Sequence, residues 1–153
     1  MNYHIDLQLA SVSSCVPKKS LLVRWASSAL EHTNDRAEMS IRIVDEAESQ
    51  ALNLQYRGNN NPTNVLSFPA ELPDIVDSDL IGDVVICAPI VFHEAIKQQK
   101  NIDAHWAHMV IHGVLHLSGY DHTDGEEAEV METLETQILN TLGFPCPYID
   151  VTS

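Results

Sequence analysis

The chain has 153 residues, enough for one sizeable core, and carries 22 Asp and Glu against 8 Lys and Arg. So acidic a balance argues against a general nucleic-acid binder, because phosphate contacts need positive charge, although a local cationic cleft holding a metal ion escapes that argument. The apolar runs are too short to span a bilayer, no basic-then-apolar leader opens the chain, and Cys15, Cys87 and Cys146 form no Cys-x-x-Cys pair. These features predict a soluble cytoplasmic protein, not membrane-bound, with no disulfide scaffold and no cysteine zinc site.

Asn2 to Leu9 alternates, with Tyr3, Ile5, Leu7 and Leu9 apolar, and predicts a half-buried strand. Pro17 opens an amphipathic helix with Leu21, Leu22, Trp25 and Ala29 as its stripe. Met39 to Val44 alternates again and predicts a second strand. Asp45 and Glu48 have capping-box spacing for a helix to about Tyr56, stopped by Gly58. Val65 to Phe68 is a short strand ended by Pro69, and Ile81 to Cys87 is apolar enough for the middle of a sheet. Pro89 starts a helix to about Lys100, and Asp103 is the expected cap of the next helix. That helix is expected to bury Trp106, Met109, Val110, Val114 and Leu117. Thr123 and Glu126 repeat the capping-box spacing before a last helix to Asn140, with Val130, Met131, Leu134 and Ile138 facing inward; Gly143 and Pro145 end it. No repeat or long linker interrupts the chain, so one domain over residues 1–153 is expected. The fold class is α+β: one mixed, mostly parallel four-stranded sheet with about five helices. At least one strand should run antiparallel, since only a loop of roughly ten residues joins the third and fourth.

The helix expected after Asp103 carries the densest chemistry. His112 and His116 are four residues apart, which puts both imidazoles on one helix face and lets them share one ion. Gly119 can end the helix in a left-handed conformation and turn the chain so that His122 approaches the same ion. Metzincin proteases use this spacing with a glutamate directly after the first histidine as general base; here that position is Gly113. Three neutral imidazoles suit one zinc per chain and leave a position open for water or substrate, although other divalent transition metals fit the same donors. His108 lies one turn earlier, about 12 Å along the axis from His116, too far to share its ion. It is expected to support a ligand, to contact substrate, or to be a partly exposed helix residue. His105 is expected to be solvated. His4, His32 and His93 have no ligand-like neighbours.

Two further segments stand beside the histidines. One runs Leu54-Gln-Tyr-Arg57-Gly58 and continues after an Asn-rich loop as Pro62-Thr-Asn64-Val-Leu-Ser-Phe-Pro69; the other is Ile81-Gly-Asp83-Val-Val-Ile-Cys87. Arg57 is placed either to cap its own helix end or to contact a phosphate with its planar guanidinium. Asp83 is either a turn acid or a residue that orients a ligand histidine. In order along the chain, these segments and His112-Gly-x-Leu-His116-Leu-x-Gly-Tyr-Asp-His122 resemble the YbeY family of bacterial rRNA maturation endoribonucleases. One departure is visible: Asn64 stands where the family pattern usually has Asp, so the position offers an amide in place of a carboxylate.

The resemblance implies a zincin-like architecture without protease activity, consistent with Gly113. It implies a single-strand-specific, metal-dependent endoribonuclease in late 16S rRNA 3′-end maturation and ribosome quality control. The partners it implies are rRNA, the small ribosomal subunit and a ribosomal or assembly-factor protein. The expected metal ligands are His112, His116 and His122, and the expected catalytic residues are Arg57 and His112. Arg57 matches the family's functional arginine. No general base is evident; His108 is a candidate by position. Two other readings remain: a zincin-like metallopeptidase or other metal hydrolase using Asp83 or Asp121 as base, and a non-catalytic ribosome-assembly factor with a structural metal.

Overall fold

A computed structural model describes residues 2–71, 78–120 and 125–148. Within them the chain runs β1 (Tyr3–Ala10), α1 (Lys19–Leu30), β2 (Ala37–Val44), α2 (Glu46–Arg57), β3 (Val65–Pro69), β4 (Leu80–Cys87), α3 (Ala88–Lys97), α4 (Ile102–Leu117) and α5 (Gly125–Thr141). The sheet order is β1-β2-β4-β3. β1 pairs parallel with β2 and β2 with β4, while β3 pairs antiparallel with β4. The mixed, mostly parallel sheet expected from the sequence is therefore found. Helical crossovers impose the parallel pairs, and the direct β3–β4 connection imposes the antiparallel one.

The two-residue period of the strands sorts side chains onto two different faces. Ile41, Ile43, Val84 and Ile86 join the main core with α1 and α4, built around Leu22, Trp106, Ile111 and Leu115. On the opposite face Val44, Leu66, Val85 and Cys87 form a smaller cluster with Leu52, Phe68 and Ile90, under α2. Cys87 is buried, as its apolar run predicts.

α4 packs close to the sheet because Gly113 has no side chain. A Cβ there would lie 2.6 Å from Val84 Cγ1 and 3.3 Å from Val65 Cγ2. Ser67 Oγ donates to the Gly113 carbonyl at 2.9 Å and ties β3 to the same point. The sheet is equally tight at Gly82, whose φ is +138° and whose Cβ would meet the Phe68 carbonyl oxygen at 2.2 Å.

Several local expectations are corrected. Leu9 is 63% and Val130 57% exposed, not inward. α1 begins at Lys19, two residues beyond Pro17. Asp45 precedes α2 without a side-chain capping bond; its carboxylate accepts instead from Ser11 Oγ at 2.5 Å and Val12 N at 3.1 Å. Glu48 is taken by a bidentate contact with Arg42 at 2.5 and 3.0 Å, so a charge-assisted pair displaces the capping box. The cap of α4 is Asn101, whose Oδ1 accepts from Ala104 N at 3.1 Å; Asp103 sits inside the first turn. The Thr123 capping position lies outside the described residues.

Candidate metal and phosphate site

The helix geometry of α4 sets out a row of imidazoles. The ring centroids of His112 and His116 are 4.7 Å apart and those of His108 and His112 are 6.1 Å apart. The C-terminus of α4 is a Schellman turn: Gly119 N donates to His116 O and Tyr120 N to Leu115 O, each at 3.1 Å. Gly119 takes φ +102°, the left-handed region expected of it. His122 and Asp121 lie outside the described residues.

A cleft of about 550 Å³ opens between this helix end and β3, lined by His112, His116, Tyr120, Asn64, Ser67 and Arg57. Arg57 reaches it from the end of α2, where Gly58, at φ +75°, stops the helix. Its Nη2 donates to the Ser67 carbonyl at 2.8 Å, and the Tyr56 carbonyl is 3.5 Å from Nη1. Arg57 thus bridges α2 to the β3 edge, and the better of its two backbone contacts is not to its own helix. The guanidinium remains exposed in the cleft.

Behind the imidazole row, α5 supplies a group that the sequence reading missed. Glu135 is 0% exposed. Its Oε2 lies 2.6 Å from His108 Nε2 and 3.2 Å from His112 Nδ1, and its Oε1 accepts from Tyr148 Oη at 2.9 Å. Burial pushes this carboxyl up, but hydrogen bonds and charge from His108 and His112 outweigh it and bring the group to about 2. Burial lowers His108, against the pull of Glu135. The two shifts describe one arrangement: a neutral His108 donates from Nε2 to an ionised Glu135. The His108 Nδ1, buried with no hydrogen-bond partner, is then the unprotonated nitrogen. The Tyr148 hydroxyl is pushed up by burial and by the Glu135 charge, so it stays a donor.

His108, His112 and Glu135 also present ligand atoms within 4.8 Å of one another, a spacing that could hold a metal ion. The 2.6 Å approach of Glu135 to His108, however, is a hydrogen-bond length. Two donors on one tetrahedral zinc stand roughly 3.3 Å apart, given bonds of about 2.0–2.1 Å. The geometry therefore favours Glu135 as a carboxylate behind a ligand. By accepting from His112 Nδ1 it selects the tautomer with the lone pair on Nε2, the nitrogen that would coordinate. The donor chemistry of His112 and His116 fits a divalent transition metal.

His105 is 4% exposed, not solvated, and its Nε2 lies 3.0 Å from Glu94 Oε1. Glu94 also receives Asn64 Nδ2 at 3.1 and 3.3 Å. Burial raises the Glu94 carboxyl, but the His105 and Asn64 hydrogen bonds bring it below its ordinary value. The amide at position 64 is thus a donor to a carboxylate; an aspartate there would oppose Glu94 charge to charge. Among the described residues Asp83 is not bonded to a histidine: it accepts from Ser40 Oγ on the other face of the sheet. His108, bonded to Glu135 and buried, is no general base in the cleft. The signal for His108 was its four-residue spacing from His112 on a helix otherwise buried; that for Glu135 was its place four residues after Met131 and three before Ile138, on the buried face of α5.

Fold and site together define a class of α+β proteins whose site joins a histidine-bearing helix to a sheet edge and an arginine at a helix end. The model of the YbeY endoribonuclease family matches residues 12–143, and the chain belongs to that family. The family makes it an endoribonuclease, a hydrolase acting in rRNA processing. The fold is similar to the solution structure of TM1509 from Thermotoga maritima, with a TM-score of 0.57 and 24% identity, over 90% of this chain and 91% of that one. No helix among the described residues is long and apolar enough to cross a membrane.

Proposed function

We propose that the chain, acting as one domain over residues 1–153, is a single-strand-specific, zinc-dependent endoribonuclease of late 16S rRNA 3′-end maturation and ribosome quality control. Its metal ligands are His112, His116 and His122, and its catalytic residues are Arg57 and His112. The observation that supports this best is the sharing of one cleft by His112, His116 and Arg57. When bound, the metal supplies Lewis acidity toward a phosphate. Glu135 holds the His112 ring in place. Arg57, fixed by Ser67 O, presents its donors where phosphoryl charge grows. The peptidase reading loses one of its two candidate bases, since Asp83 is held by Ser40 Oγ on the sheet face away from the cleft of His112 and His116.

The chain is acidic overall, with 8 Lys and Arg against 22 Asp and Glu. Efficient action is therefore expected in the cytoplasm on the small ribosomal subunit, with a ribosomal or assembly-factor protein presenting the substrate. Tight binding to arbitrary RNA at physiological salt would contradict that part. The main test incubates metal-loaded protein with rRNA precursor and with casein, each with and without chelator. Chelator-sensitive cleavage of the RNA alone is expected; proteolysis without RNA cleavage overturns the proposal. Metal analysis of His116→Ala checks the ligand set, and full occupancy in that variant removes His116 from it.

A further inference from the structure

A second cavity, of about 790 Å³, lies on the sheet face away from α4 and shares Arg57 and Pro69 with the first. The alternation of β3 explains the pairing. Ser67 points toward α4, where its Oγ reaches the Gly113 carbonyl. Phe68, the next residue, points to the opposite face and lines the second cavity. Arg57 stands over the edge between them, with its guanidinium carbon 5.5 Å from the Phe68 ring centroid and Nη2 on the Ser67 carbonyl.

Tyr56 stands edge-to-face against Phe68, with ring centroids 5.1 Å apart, and remains 54% exposed. An exposed aromatic beside a cationic guanidinium is a stacking platform. The charges around it choose between the parts of a nucleotide. Arg42 is already paired with Glu48, and Asp83 and Glu71 add negative charge to the lining. Such a cavity repels a phosphate but accepts a neutral base, whose amino groups find carboxylate acceptors there.

We propose that this cavity is a nucleobase subsite in which Tyr56 stacks on the base of a nucleotide flanking the phosphate held at Arg57. The proposal rests on the endoribonuclease reading and extends it. A base can reach Tyr56 only when unstacked from its neighbours, so the subsite selects single-stranded RNA by shape. It discriminates by stacking, with weak preference among bases.

The test is binding of the full chain to a short fluorescein-labelled single-stranded RNA, read by anisotropy at low salt, with RNA integrity checked on a gel. Each nucleotide is replaced in turn by an abasic residue. In the wild-type protein one position should weaken binding roughly five- to hundredfold, the range of a lost base–aromatic stack. Tyr56→Ala should show the same loss on intact RNA and no further loss at that abasic position, whereas Tyr56→Phe should bind like wild type. Tyr56→Ala binding as tightly as wild type, or an abasic effect of equal size in both proteins, overturns the subsite while the RNA reading stands. Wild-type protein that binds none of these RNAs overturns both.

Discussion

Glu135 and His112 meet at 3.2 Å between carboxylate Oε2 and imidazole Nδ1, across the contact of α5 with α4. A buried carboxylate behind a coordinating histidine fixes the ring and raises its basicity. Glu135→Gln keeps the volume and one acceptor but removes the charge. Zinc affinity, measured by competition with a chromogenic chelator, should fall about 10- to 100-fold. An unchanged affinity would show that Glu135 only fills the core.

Arg57 is judged by its fork. Arg57→Lys keeps the charge and loses the bidentate donor geometry. Loss of one such donor costs about 2.7–4 kcal/mol where measured, about a hundred- to thousandfold in rate. Single-turnover cleavage by this variant should fall by that factor, with metal content unchanged. A rate within a few fold of wild type would assign Arg57 to tying α2 to β3 through Ser67.

Gly113 is a packing position. Gly113→Ala places a methyl 2.6 Å from a buried, stiff Val84 side chain. Overpacking costs about 1–3 kcal/mol, and alanine recovers up to about 1 kcal/mol of helix propensity. Because Val84 is buried and β-branched, the overpacking should fall in the upper part of that range, about 2–3 kcal/mol, so urea unfolding should show a net loss of roughly 1–2 kcal/mol. Gly113→Glu should lose far more, since its carboxylate would have to enter the core. A Gly113→Ala protein as stable as wild type would mean that α4 lifts from the sheet at little cost.

Acid should destabilise the metal-free protein through this cluster. Glu135 is held at about 2, below the roughly 4.3 of an unfolded glutamate, so it contributes stability above about 4.3 that is lost as pH falls toward 2. His108 is also lowered, so its contribution is present above about 6.5 and is lost as pH falls below that value. Relief of surface repulsion works in the opposite direction in so acidic a chain. Comparison at each pH with Glu135→Gln cancels that surface effect. The urea midpoint of wild type should fall more steeply than that of the variant below about 4.3. Parallel curves for the two proteins would contradict the assignment.

The local, periodic features were legible in the sequence. Strand alternation, the stripe of α1, the glycines at positions 58 and 119 and the face shared by His112 and His116 follow from backbone geometry alone. Each of these depends on neighbours within a turn or two of chain, which is the range over which sequence spacing acts. Choices between competing partners were not legible. Glu48 prefers Arg42 on a neighbouring strand over the cap of its own helix. Asn64 and His105 converge on Glu94, and His108 and His112 on Glu135, because α3 and α5 pack beside α4. Gly113 read as a missing catalytic base, and the tertiary contact with Val84 supplied its packing reason. Hydrogen bonds and close packing between residues distant in sequence are decided by which elements dock, and that appears only when the chain is folded.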